Sequence, residues 1–294
     1  MHTPVLLKEV LHYLALDKGY KAVDGTVNGG GHAWAISEVV GSKGKVLGID
    51  RDKDLINRLR DRVKAEHKKN IEAVEGSFAD IEEIAHEHSM NLVDAVLLDL
   101  GFSSYHLEES GRGFSFIRNE ILDMRYDTSR NPTAHDILMR FSLNELEKIF
   151  HEYGEEQFSR QIAKAILEAR KRGDILWTKD LVGIIESAVP AWYKHRKTHP
   201  ATKVFQALRI AVNDELSHIP RGIQGALQIL KPGGRLAIIS FHSLEDRIVK
   251  TTFSLFKKEG LIKNITKKPV VPSREEIRLN PRSRSSKLRI AEKI

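Results

Sequence analysis

Asp24 to Ala33 read DGTVNGGGHA. Four glycines, Gly25, Gly29, Gly30 and Gly31, follow a short apolar run and lead into AWAISEVVG, whose spacing predicts a helix. Glycine accepts positive φ and lets backbone approach a ligand closely. The start of a helix offers unpaired N–H groups to an anion. Asp50 ends the next apolar run, about 20 residues on, where nucleotide-binding folds place the acid that holds a ribose. Strand, glycine turn, helix and acid together are the parts of a nucleotide-type cofactor site.

The details disfavour a dinucleotide. The G-x-G-x-x-G pattern is missing, because the fifth residue after Gly29 is Trp34. A bulky side chain there opposes the close helix–strand packing that the third glycine serves. S-adenosylmethionine (SAM) suits the turn better. It has no pyrophosphate, and it presents a methionine carboxylate to the turn, a ribose diol to Asp50 and an adenine to an apolar or aromatic side chain. Phe78, just past the third apolar run, is placed for the adenine, and Asp99, at the end of the fourth, for the methionine amine. Each residue also has a plainer reading: Phe78 as core, Asp50 as a helix N-cap.

The elements that would position these residues follow from apolar spacing. Lys21–Thr26, Lys45–Ile49, Ile71–Val74 and Val93–Leu98 read as strands, with helical patterns such as Lys53–Ala65 between them. Short apolar runs alternating with helices predict a parallel sheet covered on both faces. From roughly Glu108 to Arg209 no strand is evident, while SLNELEKIFHEYG, SRQIAKAILEARKRG and TKDLVGIIESAV all show helical spacing. Ser142 and Thr178 are candidate N-caps, and Gly154 and Gly173 candidate stops. Strand signal resumes at Arg235–Phe241, a helix-like SLEDRIVKTTFSLFKKEG follows, and Lys287–Ala291 is a last strand candidate. The expected architecture is one α/β sheet domain, residues 1–107 and 210–294, interrupted by an all-α insertion at 108–209.

Composition sets the partners. The chain has 294 residues, 47 Lys+Arg against 40 Asp+Glu, and a net charge of +7, which favours a polyanion. Between Glu186 and Asp214 no acid occurs, and the interval holds Lys194, Arg196, Lys197, Lys203 and Arg209 with Trp192 and Tyr193. Cations interleaved with aromatics suit RNA. Arg282, Arg284, Lys287 and Arg289 repeat the theme in the tail, and Arg160, Lys164 and Lys171 share a helix face. A solvated basic surface is the alternative. MHTPVLLKEVL has no signal-peptide pattern and no apolar run reaches the roughly 20 residues of a membrane helix, so a cytoplasmic protein is expected.

Longer motifs add a resemblance. DGTVNGGGHA, LLDLGFSS, RGFSF with LDMRYD, YGEEQFSRQIAKAI, HPATKVFQALRIAVNDEL, LKPGGRLAIISFHSLEDRIVK and NPRSRSSKLRIAEK occur in this order across nearly the whole chain. Together they resemble the bacterial SAM-dependent methyltransferase family that modifies cytosine N4 in the decoding region of small-subunit (16S) ribosomal RNA. The resemblance implies a class I, Rossmann-like methyltransferase sheet with an inserted helical domain that recognises RNA. It also implies cofactor contacts at Gly30, Gly31, His32, Asp50, Phe78, Asp99 and His106, and free ribosomal RNA or an assembled small subunit as partner. Three positions depart from the family pattern: Asn28 stands where glycine is usual, Tyr105 where proline is usual, and His106 where glutamine is common.

For methyl transfer to an amine, an acceptor must hold the N–H so that electron density collects on nitrogen. Asp99 and the carbonyls of Leu100–Phe102 are candidates. Phe102 is placed to stack on a base or to fill the core, and His242 to assist proton loss or to cap the helix that starts in SLEDR. Cysteine is absent, which closes the thiol-adduct route used for methylation at cytosine C5. No metal is required: His86 and His88 are wrongly spaced for a helical zinc pair, and Arg196 lies between His195 and His199 where a metalloprotease has its Glu. The rival readings are a non-catalytic RNA-binding or ribosome-assembly factor that keeps the fold, a nicotinamide-dependent oxidoreductase, and a methyltransferase acting on DNA or another RNA.

Overall fold

The computed structural model describes residues 4–129 and 132–294. The chain forms two compact units, one of residues 1–102 with 216–294 and the other of residues 103–215. The helical unit thus begins and ends five to six residues outside 108–209, because the chain leaves the sheet directly after β4 and re-enters it through a long helix.

In chain order the first unit opens with α1 (Leu7–Leu14), β1 (Lys21–Asp24), α2 (Gly31–Val40), β2 (Lys45–Asp50), α3 (Lys53–Ala65), β3 (Ile71–Glu75), α4 (Ile81–Glu87) and β4 (Val93–Asp99). The helical unit contains α5 (Ser104–Glu108), α6 (Ala134–Arg140), α7 (Leu143–Glu152), α8 (Ser159–Arg170), α9 (Thr178–Ala188), α10 (Ala191–Lys194) and α11 (Ala201–Asn213). The first unit resumes with α12 (Glu215–Ile229), β5 (Leu230–Ser240), α13 (Ser243–Lys258), β6 (Ile262–Asn264), α14 (Arg274–Leu279) and β7 (Lys287–Lys293).

The strands form one sheet in the order β3-β2-β1-β4-β5-β7-β6. The first five are parallel, and β7 runs antiparallel between β5 and β6. Alternate residues feed two apolar layers. Val23, Leu47, Val96 and Leu98 join Ile81, Ile223 and Phe253 on one face. Ala22, Val46, Ala95 and Leu97 join Val10, Ile36 and Ile56 on the other. Burial on both faces explains why VDAVLL is apolar almost without break. The strand order reverses between β1 and β4, and open α/β sheets bind ligands at such a reversal, beyond the carboxyl ends of the strands.

The helical unit has its own core, in which Phe150, Leu146, Ile162, Ile166, Leu181 and Leu208 are fully buried. Gly154 is required where α7 ends, since a Cβ there would lie 2.7 Å from the Lys203 carbonyl. Ser142 caps α7 as its sequence suggests. Thr178 does not cap α9. Trp177 holds that position, and the Thr178 hydroxyl instead donates to the Arg118 carbonyl and accepts from Glu120 N–H. Among the described residues of this unit, the extended pairing is one isolated bridge, Ile121 with Trp177. No helix among the described residues is long and apolar enough to cross a membrane.

Candidate functional site

The glycine turn sits at the reversal point and is tied to three strand ends. Gly25 N–H donates to the Leu97 carbonyl and Val27 N–H to the Ile49 carbonyl. Gly30, at φ 74°, occupies the N-cap of α2. Asn28, at φ 50°, lies in the left-handed region, where glycine is the usual residue and asparagine the best-tolerated substitute. Its side chain justifies the departure from glycine: Nδ2 donates to the Asp99 carbonyl at 3.3 Å, and its backbone N–H donates to Asp50 Oδ2 at 2.8 Å. A Cβ on Gly29 would meet nothing within 4 Å, so the turn is open there. Gly31 is packed instead, with a Cβ there 2.4 Å from Pro4 Cγ.

Asp50 is not the cap of α3. That role belongs to Asp52, which accepts from Asp54 N–H, while Asp50 Oδ1 accepts from Asp52 N–H. The Asp50 carboxylate therefore bridges the turn to the end of β2.

Asp99 is the most constrained of the acids. It is 7% exposed. Its N–H donates to Thr26 Oγ1 at 2.6 Å and its Oδ1 accepts from Gly101 N–H at 3.3 Å. Burial pushes its carboxyl from the ordinary 3.8 up to about 7; the Gly101 bond opposes this and the Glu245 charge adds to it. Asp99 Oδ2 lies 3.5 Å from His32 Nδ1. His32 Nε2 is 3.0 Å from the Val5 carbonyl, which can only accept, so Nε2 carries a proton. Nδ1 of the neutral ring is then an acceptor, and a protonated Asp99 is the complementary partner.

Asp24 belongs to the same cluster, although the glycines beside it dominate the sequence motif. It is fully buried. Oδ1 accepts from Thr26 N–H at 3.2 Å, and Oδ2 has no hydrogen-bond partner among the described residues. Burial pushes its carboxyl well above the ordinary range; the Thr26 bond opposes that rise and the Asp99 and Asp50 charges add to it. Three carboxyls thus surround one open glycine turn. A ligand that brings positive charge offsets the cost of ionising the buried Asp24 and Asp99 there, and an anionic pyrophosphate would add to it. These observations fit SAM, whose sulfonium and ammonium are cationic.

Phe78 opens a 3-10 turn after β3. Its ring packs on α12: a Cβ on Gly222 would lie 2.4 Å from Phe78 Cδ2, and His218 meets the ring edge-on at 6.2 Å. His218 Nδ1 also lies 3.3 Å from Arg51 Nη1. His218 carries no sequence signal beyond its position one turn before Gly222.

His106 belongs to the helical unit, whereas the other six resemblance-implied contacts belong to the sheet unit. Its Nδ1 accepts from Ser103 N–H at 3.1 Å, which leaves the proton of the neutral ring on Nε2. Phe114 and Tyr126 each lie 4.9 Å from its ring. Tyr105 uses its backbone N–H to reach Ser103 Oγ, a bond that proline could not make.

His242 is the N-cap of α13, with Nδ1 accepting from Glu245 N–H at 3.4 Å. In the neutral ring Nε2 then carries the proton. It lies 3.1 Å from Glu245 Oε1 but off the line a hydrogen bond needs. Both nitrogens are thereby withdrawn from duty as a proton acceptor, and of the two roles open to His242 the geometry describes the cap. Phe102 is half-buried.

The basic residues divide sharply. Lys194, Arg196 and Lys197 are exposed beside Trp192, and Arg196 lies 5.2 Å over the Tyr193 ring. Arg282 and Arg284 are exposed on a 3-10 turn. Lys203 is committed to structure, donating to the Glu155 carbonyl at 2.6 Å. Arg209 pairs with Glu215, Arg160 with Glu147, Lys171 with Glu168, and Lys287 and Arg289 both with Asp246. Two of the three cations of the α8 stripe, Arg160 and Lys171, and half of the tail are therefore ion-paired. His88 pairs with Glu72, and His199 pairs with Glu186 and stacks on Phe116.

The model of the MraW methylase family matches residues 1–294. The chain is 45% identical over 294 residues to a Dictyoglomus thermophilum protein named ribosomal RNA small subunit methyltransferase H, covering 100% of this chain and 97% of that one. A protein of the same name from Persephonella marina is 45% identical over 293 residues, covering 100% and 99%. One from Clostridium botulinum (strain Loch Maree) is 42% identical over 308 aligned positions, covering 100% and 99%.

Proposed function

The chain belongs to the MraW methylase family, and on that premise we propose that it methylates the exocyclic N4 amine of a cytidine in the decoding region of 16S ribosomal RNA. At the coarser level it is a SAM-dependent ribosomal RNA methyltransferase with a Rossmann-like sheet. The observation that carries the reading is the trio Asp24, Asp50 and Asp99 around an open glycine turn.

Gly30, Gly31 and His32 would hold the methionine end of SAM, Asp50 the ribose, Phe78 the adenine and Asp99 the ammonium. His106, from the helical unit, is proposed to add a further contact. Bound SAM supplies an electrophilic methyl group. The chain's own task is to orient the acceptor and hold its proton. A cytosine amine is a weak nucleophile because its lone pair is delocalised, so positioning and an N–H acceptor are what the protein must contribute. Asp99 is the proposed acceptor, aided by carbonyls of Leu100–Phe102, with Phe102 stacking on the base. An amine needs no thiol, in keeping with a chain that has none.

The helical unit is proposed to recognise RNA through Lys194, Arg196 and Lys197, and the tail through Arg282 and Arg284. Reversing Arg196 and Lys197 to Glu is expected to weaken binding of the RNA substrate and to leave SAM affinity intact in parallel titrations. Equal loss of both would assign these charges to folding.

Gly222→Ala probes the adenine contact. A helix normally gains about 1 kcal/mol from this change. Here the new methyl collides with the Phe78 ring, and SAM binding is expected to weaken about tenfold, the scale of one aromatic contact. Unchanged affinity would remove Phe78 from the site.

The reading itself is tested by labelled methyl transfer to small subunits from cells lacking this enzyme, followed by nucleoside mass analysis. N4-methylcytidine is the expected product. A C5-methylated or uridine product would refute it, and absence of SAM uptake in a calorimetric titration would favour the non-catalytic assembly factor.

A further inference from the structure

At the opposite end of the sheet unit from the glycine turn lies a concavity of about 350 Å³ between the second half of α3 and the start of β3. Arg60, Lys64, His67, Lys68 and Lys69 surround it, and none of the described residues that line it is acidic. Val63 and Ile71 give it an apolar floor. β3 is an edge strand, and Arg60 covers that edge by donating from Nε to the Ala73 carbonyl at 3.0 Å.

Neighbouring acids are engaged elsewhere. Glu66 pairs with Arg62, and Glu72 with Lys45 and His88. Lys68 is held by Glu38 and lies 5.2 Å over the Trp34 ring. The side chains of Lys64, His67 and Lys69 have no ion-pair or hydrogen-bond partner among the described residues, although the His67 backbone N–H donates to the Lys64 carbonyl. Convergent cations without acids repel one another, and an arriving anion removes that cost.

The strands are parallel from β3 to β5, so the cofactor turn faces their carboxyl ends while this concavity faces the start of β3. The length of β3 alone puts about 13 Å between Ile71 and Glu75. A nucleotide reacting beside Asp99 cannot also occupy the concavity, but a polynucleotide can reach both. We propose that this concavity grips the phosphodiester backbone of a second segment of the substrate RNA, with phosphate among the cations and sugar against the apolar floor. The inference rests on the assignment of ribosomal RNA as substrate.

The test compares wild type with Lys64→Gln/Lys69→Gln in filter binding to unmodified small-subunit ribosomal RNA transcribed in vitro, over a series of salt concentrations. Each lost phosphate contact lowers the slope of log affinity against log salt by about 0.7–0.9, so the double variant is expected to lose about 1.4–1.8 and to bind more weakly at physiological salt. Its SAM affinity should equal that of wild type, which shows that the fold is intact; should the double variant fail that control, each single variant is expected to lose about half as much slope. A wild type that binds and methylates this RNA, with variants whose slope is unchanged, overturns the concavity alone. A wild type that neither binds nor methylates ribosomal RNA, whether free or in small subunits from cells lacking this enzyme, overturns the substrate assignment and the concavity with it.

Discussion

Asp99→Asn is expected to make the cofactor-free protein more stable above pH 7 and to slow methyl transfer by about two to three orders of magnitude. The stability half follows from linkage. The folded protein holds the Asp99 proton more tightly than the unfolded chain does, with a pKa of about 7 against 3.8. Folding carries no penalty from this group below pH 3.8. Stability is then lost as pH rises, and the full cost, roughly 4 kcal/mol, is present above pH 7. Asparagine has the same shape and no charge, so it avoids that cost. Its amide oxygen can still accept from Gly101 N–H, and its NH₂ suits the acceptor nitrogen of His32, whose tautomer is fixed by the Val5 carbonyl. The functional half follows because the proposed roles of Asp99, pairing with an ammonium and accepting an amine N–H, both need a carboxylate. Thermal unfolding at pH 8 and single-turnover methyl transfer check the two halves. A variant both less stable and fully active would make Asp99 a structural residue.

That a buried acid destabilises its own fold is invisible in one dimension, and the contrast shows what sequence can carry. β2 and β4 were legible because burial on both faces turns each into a nearly unbroken apolar run, β1 and β3 from shorter apolar stretches, and Lys53–Ala65 because its apolar positions recur with helical period. β6 was not legible: Ile262–Asn264 is three residues on an edge and buries only Ile262. β5 starts five residues before the apolar run, at Leu230, where pairing with Val93 and a register shift accommodate KPGG. Charge was the least legible property. Lys203 and Arg196 look alike in a basic interval, yet one is spent on the Glu155 carbonyl and the other is exposed. Residue type gives the charge, and only packing says whether it is already paired. Asp24 illustrates the same limit. Its place before the glycines is plain in the sequence, while its unpartnered oxygen depends on how β1, β2 and β4 converge.

The pH dependence of cofactor affinity provides the second large effect. If a cation is held against Asp99, binding requires the carboxylate. Below pH 7 the free protein carries a proton there, which binding must release, so affinity is expected to fall towards tenfold for each pH unit, roughly fiftyfold between pH 7 and pH 5. Asp24, whose carboxyl is also raised by burial, acts in the same direction. Above about pH 8 the ligand's own α-ammonium loses its proton, so affinity should pass through a maximum near pH 7–8. Titrations with SAM and with S-adenosylhomocysteine separate the partners of Asp99. Both ligands carry the ammonium and only the first carries the sulfonium. With Asp99 on the ammonium, as proposed, the two acid limbs are parallel. A limb shown by SAM alone would move Asp99 to the sulfonium, and Asp99→Asn should flatten whichever limb is its own. Affinity that is level from pH 5 to pH 8 for both ligands would mean that the acidic cluster is not where the cofactor binds, and the chemical reading of the glycine turn would fall with it.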